Sequence, residues 1–389
     1  MDFAALTRDA AAFETWRRRE FPFFERKICL THASVSPLPH CAAQAVADYA
    51  RRISSEGQFD FVHEAIYHRC KERLARLIGH DAAPEEIAFA GSTSHAIGLV
   101  ATGLDWQPGD NCVVADGDFP ANVVPWKNLR HTHGVEVRLI PFRPSMNITV
   151  EDVATLVDER TRIVSLASAN FLSGYPIDVA AIGAWLHERN VLFCVDAIQT
   201  LGAVRLDTRE VDFVCADAHK WLLGPNGIAV LWTRRAVLEK MRPAILGWLA
   251  SRERDSWFAY DTTPIDSAER FEPGARNYLG IIALDAVLQF HEDIAADVIE
   301  ARVSGLRDLA AQHLSEHGCR LLWSPDPAQR AGIVSFQPPS GDTAALYQRL
   351  DAGFALSLRQ DRDGADWIRV SPHFMNTADD VERLAQQIA

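Results

Sequence analysis

The stretch DAHKWLLGP (217–225) sets Lys220 between His219 and Trp221 and then breaks at Gly224-Pro225. VDFVCA (211–216) before it and GIAVLW (227–232) after it both read as strands. A lysine closing an apolar strand is either a loop residue with apolar neighbours or an amine held for reaction. Burial lowers an ammonium's pKa and makes the free amine a nucleophile. Other polar residues also close strands: Asp196 ends VLFCVDA, Asn170 ends RIVSLASAN, and Asp118-Phe119 follow NCVVADG. GSTS (91–94) lies between the strand EEIAFA and a helical run. There the free backbone amides and the helix dipole favour an anion, and Ser92, Thr93 and Ser94 add hydroxyls. The same residues also suit an ordinary N-cap.

The elements that must hold these groups alternate. Strands apolar on both faces (85–90, 111–118, 135–142, 162–170, 191–197, 212–218, 227–232) are separated by helical patterns such as 148–159 and 178–190. That order predicts an α/β fold with a mostly parallel sheet covered on both sides, whose ligands sit beyond the carboxyl ends of the strands. From about residue 285 a long helical stretch leads into shorter strands and a closing helix. Thr377 and Asp380 have the spacing of a capping box for that helix. The expected organisation is a large domain over 28–284, a smaller α+β domain over 285–389, and an N-terminal segment, 1–27, packing on either.

Composition narrows the partners. The chain has 389 residues, is 48% hydrophobic and carries a formal net charge of −13, which disfavours a nucleic-acid partner. No run approaches the ~20 apolar residues of a membrane span, and the N-terminus lacks the apolar run of a signal peptide. The seven cysteines are scattered without a CxxC, as expected of a reduced, cytoplasmic protein. Nucleotide signatures fail: G-x-G-x-x-G is absent, and Leu104-Asp105 follow the one glycine pair at P-loop spacing. HLSEH (313–317) fits a zinc pattern but reads as a helix end whose histidines face the dipole, so no metal is expected. His131-Thr132-His133 reads as a surface turn.

A lysine, an aspartate and a phosphate seat on one rim suggest pyridoxal phosphate. Lys220 would hold the aldehyde as a Schiff base. Asp196 would pair with the pyridine nitrogen and keep it protonated, making the ring an electron sink. Gln199 would donate to the ring's phenolic oxygen, Phe119 would stack on its face, and Asn170 stands with them as a cofactor-binding candidate.

AFAGSTSHAI, DFPANVVPW, VDAIQTLGAV, DAHKWLLGPNGIAVL, RFEPGARNYLGI and IRVSPHFMNTADD occur in this order, and over roughly residues 28–385 the chain resembles the class V aminotransferase family. That family includes cysteine desulfurases, kynureninases and isopenicillin N epimerase-like proteins. The resemblance implies a fold-type-I homodimer with sites near the subunit interface and a small amino-acid substrate. It makes Lys220 the Schiff-base lysine, Asp196 the pyridine partner and Gln199 the phenolate-oxygen donor, with His219, Thr93 and Ser94 at cofactor-phosphate positions. Phe119-Pro120 is similar to the kynureninase pattern. Gly274-Ala275 stands where the family usually has Gly-Thr, whose threonine reaches the neighbouring subunit's phosphate; here only backbone donation survives. Asp217 occupies the place of a phosphate-binding serine and is expected to turn away or pair with a cation. Arg369 matches the arginine that clamps the substrate carboxylate, a task suited to a guanidinium's two parallel donors; Arg359, and more loosely Arg362, would assist. Desulfurase chemistry also needs a cysteine in the loop before that arginine. SLRQDRDGADWIRV (357–370) has none, and the last cysteine is Cys319. The implied reaction is therefore that of a transaminase or C–S/β-lyase working through a Cα carbanion. Alternatives are an amino-acid epimerase and a kynureninase-like hydrolase. A non-enzymatic cofactor-binding regulator is disfavoured because Lys220 and Asp196 are both present.

Overall fold

The computed structural model describes residues 3–58, 62–143, 147–322, 326 and 330–388. Its main sheet has seven strands: β1 (Ile87–Ala90), β2 (Asn111–Ala115), β3 (Glu136–Ile140), β4 (Thr161–Ala167), β5 (Leu192–Asp196), β6 (Phe213–Asp217) and β7 (Ala229–Thr233). Their order is β1-β7-β6-β5-β4-β2-β3, and only β7 runs against the rest. Alternation along each strand feeds two cores. Val164, Leu166, Phe193, Val195, Val214 and Ala216 face one, while Ile163, Cys194, Phe213 and Cys215 face the other. This two-sided burial is why the strands carry no polar alternation. It also leaves Cys194 and Cys215 as fully buried small hydrophobes.

Helices α1 (Val62–Ile78), α2 (Thr93–Gly103), α3 (Val179–His187), α4 (Tyr278–Ile294) and α5 (Ala296–Glu316) are used below. The long helical pattern after 285 proves to be two helices. The break is at Ala295, whose φ of +77° is left-handed backbone that normally favours glycine. α4 runs unbroken through residue 284. The pattern read over 148–159 yields a helix only over Val150–Ala154.

A second, antiparallel sheet contains β8 (Arg320–Leu322), β9 (Val334–Gln337), β10 (Ser357–Gln360) and β11 (Asp366–Val370) in the order β10-β11-β9-β8. The closing helix, Ala378–Gln386, has the capping box read from its sequence: Thr377 Oγ1 accepts the Asp380 amide and Asp380 accepts the Thr377 amide. Asp380 also takes Arg17 Nη1 at 2.6 Å and Asn376 Nδ2 at 3.0 Å. The N-terminal segment therefore ties to both parts. Arg17 anchors it to the small sheet's helix, and Phe3, Phe13, Trp16 and Phe21 pack with Phe290 of α4 and with Phe374. Such ring pairs add about 0.5–1.5 kcal/mol each beyond their burial.

His313 and His317 end α5. His313 Nδ1 meets Glu316 at 3.2 Å and His317 Nδ1 donates to the His313 carbonyl. Among the described residues no three His, Cys, Asp or Glu side chains converge as a metal site, and no helix is long and apolar enough to cross a membrane.

Candidate active site

The carboxyl ends of β1, β2, β4, β5 and β6 meet at one rim, and a cavity of about 350 Å3 opens there. That is the size range of small-molecule and cofactor sites. Its wall includes Thr93, Ser94, Phe119, Asp196, Gln199, His219, Lys220, Arg359 and Arg369, which were all singled out from the sequence.

Lys220 answers the question its sequence context raises. It is buried, and its turn is pinned from several sides. The Gly224 amide donates to Ala218 O (2.8 Å), Ser36 Oγ donates to Lys220 O (2.6 Å), and His373 Nε2 meets Trp221 O at 2.9 Å. Leu223 takes φ +61° to close the turn. Burial first, and then the Arg369 charge, push the Lys220 amine down from 10.5 to about 8. Its Nζ stands 5.5 Å from the centre of the Phe119 ring, which packs edge-on against Phe171.

Asp196 closes β5, buried, with Oδ1 accepting the Ile198 amide at 3.0 Å. Burial, and then the neighbouring Asp118, push its carboxyl up from 3.8 to about 7. Asp118 is likewise raised by burial, while it accepts Asn122 Nδ2 (3.0 Å) and the Phe119 amide (2.7 Å). Asp196 is thus a buried carboxylate short of positive charge, the environment a cationic ring nitrogen would relieve. Gln199 is oriented by Trp221, whose Nε1 donates to its Oε1 at 3.1 Å. Its Nε2 donates to Ala33 O at 3.2 Å, which leaves a second amide hydrogen.

At the phosphate seat, Ser92 caps α2 by accepting the His95 amide, while Ser94 lines the cavity. The Thr93 hydroxyl accepts the Asp217 amide at 2.9 Å, joining the helix start to the end of β6. Asp217 does not turn away. It lines the cavity, and its Oδ1 lies 2.6 Å from His219 Nδ1, close enough for an ion pair but without hydrogen-bond alignment.

The opposite wall carries Arg369 on β11 and Arg359 on β10. Arg369 is buried and donates to Phe171 O, and Arg359 donates to Ser34 Oγ and Leu358 O. Among the described residues neither guanidinium has a carboxylate partner, so the wall presents donors to an incoming anion. Burial, and then Arg359, lower the Arg369 pKa to about 9.

Four other residues singled out from the sequence lie outside this chain's cavity. Asn170 is not in the cavity wall: its side-chain oxygen accepts the Leu172 and Ser173 amides (both 2.9 Å) and organises the turn after β4. Gly274 and Ala275 lie outside this chain's cavity. The segment that holds them is fixed by Glu272, which accepts Tyr67 Oη, the Phe89 amide and Arg276 Nε. Arg362 instead pairs with Asp116 near the surface. Ser34, Val35, Ile198 and Phe171 line the cavity without having been singled out. Ala33–Val35 arrive from far away in sequence because Ile28–Cys29 pairs with Phe354–Ala355 and Thr31 bridges Ser371. The Ser/Pro-rich loop THASVSP was the only signal for it.

These groups fit pyridoxal phosphate: an amine for its aldehyde, a carboxylate for its nitrogen, an aromatic face for its ring, and a helix N-terminus with hydroxyls for its phosphate. The sequence profile of the aminotransferase class-V family matches residues 28–384. The chain is 28% identical over 400 residues to a probable cysteine desulfurase of Halalkalibacterium halodurans, covering 95% of each. It is 29% identical over 397 residues to a cysteine desulfurase of Pectobacterium atrosepticum, covering 94% of this chain and 95% of that one. Among solved structures it resembles the cystine C-S lyase C-DES in complex with its product cysteine persulfide. The TM-score is 0.85 and the identity 22%, over 95% of this chain and 98% of that one. It also resembles the apo cysteine desulfurase from Thermococcus onnurineus NA1, with a TM-score of 0.83 and 23% identity over 96% of each. At these identities the two structures establish the fold. The chain therefore belongs to the class V aminotransferase family of fold-type-I enzymes, whose cofactor is pyridoxal 5'-phosphate.

Proposed function

We propose that this enzyme cleaves the Cβ–S bond of a small sulfur amino acid of the cysteine class, as a C–S β-lyase rather than a persulfide-forming desulfurase. The carrying observation is a cavity that has the lysine, the aspartate and two guanidiniums without a carboxylate partner but, among the described residues, no thiol in its wall. Cysteine desulfurase relatives and the C–S lyase neighbour support a cysteine-class substrate. The segment between β10 and β11 is a tight turn, Asp361–Ala365. Asp361 closes it by accepting the Asp363, Ala365 and Trp367 Nε1 hydrogens, and no cysteine-bearing loop extends from it.

When bound, pyridoxal phosphate withdraws electrons from the substrate's Cα. Arg369 and Arg359 grip the substrate carboxylate and so set which Cα bond faces the ring. Lys220 Nζ, with its lowered pKa, takes the Cα proton and returns protons to later species. Asp196 would hold positive charge on the ring nitrogen, and Phe119 would cover the ring face. Overall, cysteine and water give sulfide, pyruvate and ammonia without a net redox change. Transamination is the second reading, because the same wall serves it and differs only in where the proton returns.

The working unit is a homodimer. Trp248, Trp257, Phe258 and Tyr260 are all more than 60% exposed on the stretch leading to Gly274-Ala275. An apolar patch of that kind marks an interface. It would carry the loop toward a partner's site, and sedimentation of the holoenzyme checks it.

The holoenzyme should release sulfide and pyruvate from cysteine, and cysteine persulfide and pyruvate from cystine, with no keto acid added. Strict dependence on a keto acid would make it a transaminase. Alanine with a protein-bound persulfide would restore the desulfurase reading.

A further inference from the structure

The polar side chains of the catalytic cavity are matched either to the cofactor or to the substrate carboxylate, and Ser34 Oγ is engaged by accepting from Arg359. Ile198 is tied to Asp196 through its amide and belongs to the cofactor's side. Among the described residues, what remains of the wall is apolar: Ala33, Val35, Ala121 and Phe171.

Two of these side chains border the place where the carboxylate docks. Arg369 donates to Phe171 O, and Arg359 donates to Ser34, the neighbour of Val35 in the chain. Lys220 Nζ lies 5.5 Å from the centre of the Phe119 ring, and that ring stands 5.5 Å from the ring of Phe171. Phe171 thus joins the surroundings of the amine to those of Arg369. A substrate with its carboxylate on the guanidiniums and its Cα within reach of Lys220 carries its side chain along this apolar wall.

The wall is preformed. The Val35 amide donates to Thr31 O (3.2 Å), the next amide, of Ser36, donates to His219 O (2.8 Å), and the Ala33 amide donates to Ser371 Oγ (3.0 Å). On that pinned backbone the Val35 side chain is 47% exposed, and Phe119 is 45% exposed. Apolar surface held open on a concave site is the usual lining for an apolar part of a ligand. Free cysteine would set only a thiol against it, whereas each methylene buried there would favour binding by about fourfold.

We propose that the substrate is a cysteine thioether, an S-alkyl or S-aralkyl cysteine whose apolar substituent lies against Val35 and Phe171, the residues that set specificity. This rests on the Cβ–S cleavage proposed above. No oxidant or reductant is needed. The Cβ–S bond breaks with its electron pair on sulfur, which takes a proton and leaves as a thiol, and water converts the three-carbon remainder to pyruvate and ammonia.

The test uses the holoenzyme and two series of amino acids. In the first, kcat/KM for pyruvate release is measured with S-methyl-, S-ethyl- and S-propyl-L-cysteine, whose leaving thiols are chemically alike. In the second, L-2-aminobutyrate, L-norvaline and L-norleucine, which have no leaving group, are titrated against the visible cofactor band to give Kd. Both series should improve by about tenfold from the shortest to the longest member. Val35→Ser and Phe171→Ala should each cut that gain to about threefold or less, and Val35→Ser, at an exposed position, should keep the wild-type melting temperature. A flat or falling binding series would overturn the inference, as would a gain unchanged in both variants. A rising binding series with no pyruvate from cysteine or its thioethers would overturn the cleavage reading, and the substrate class with it. Pyruvate from cysteine alongside a flat binding series would overturn this inference alone.

Discussion

Replacing Asp196 by Asn separates what the residue does for folding from what it does for the cofactor. Asn keeps the Oδ1 acceptor that the Ile198 amide uses at 3.0 Å, so the local turn survives. It removes a charge that is buried beside Asp118. In the cofactor-free protein the carboxyl's pKa rises from 3.8 to about 7. Ionisation therefore favours the unfolded chain by up to about 4 kcal/mol. The sign follows from the raised folded-state pKa. Both states bind the proton below the unfolded value, the penalty grows as pH climbs between the two values, and it is constant above the folded one. The variant should thus be more stable than wild type near pH 8, with the difference shrinking as pH falls toward about 4. Adding pyridoxal phosphate should narrow that difference, because the wild type binds it more tightly. A hydrogen bond to a charged group contributes about 1.5–3 kcal/mol and a neutral one about 0.5–1.5, so the variant should bind the cofactor roughly 5- to 13-fold more weakly. Urea unfolding of both proteins, with and without cofactor at two pH values, reads out both effects. A variant less stable than wild type without cofactor, or one that binds the cofactor equally well, would refute the reasoning.

Three further outcomes are expected. Arg369→Lys keeps a charge but loses the planar fork, so the KM for the amino acid should rise by about 10- to 100-fold, a loss of roughly 1.5–3 kcal/mol, measured by steady-state kinetics. Asp380→Ala leaves the buried Arg17 with Glu14 as its one carboxylate and removes the side-chain half of the closing helix's capping box, and should cost about 3 kcal/mol in chemical denaturation. His187 sits between Asp212 (3.0 Å) and Glu210 (2.8 Å), which raise its pKa. Its contribution is complete below the unfolded-state value of about 6.5 and is lost as pH rises through the higher folded value. His187→Gln should therefore flatten the decline of melting temperature over that window.

Much of the site was legible because strand ends are legible. Strands buried on both faces admit few polar residues, so Asp196 and Lys220 stand out where β5 and β6 leave the core, and the sheet's topology then sets them on one rim. Asn170 misled for the same reason. It too closes a strand, but its amide oxygen organises the turn to Ser173, a local choice that periodicity does not encode. Ser34 and Val35 were invisible because their place depends on Ile28–Cys29 pairing with a strand more than 300 residues away. The break at Ala295 was missed because alanine is the strongest helix former and nothing in its identity signals a left-handed residue.

Everything proposed for this site requires that Lys220 carry the cofactor. Borohydride reduction of the holoenzyme, followed by peptide mass mapping, tests it directly. A single phosphopyridoxyl group is expected on the peptide bearing Lys220, whereas the same modification on any other lysine, with Lys220 unmodified, would rule that role out.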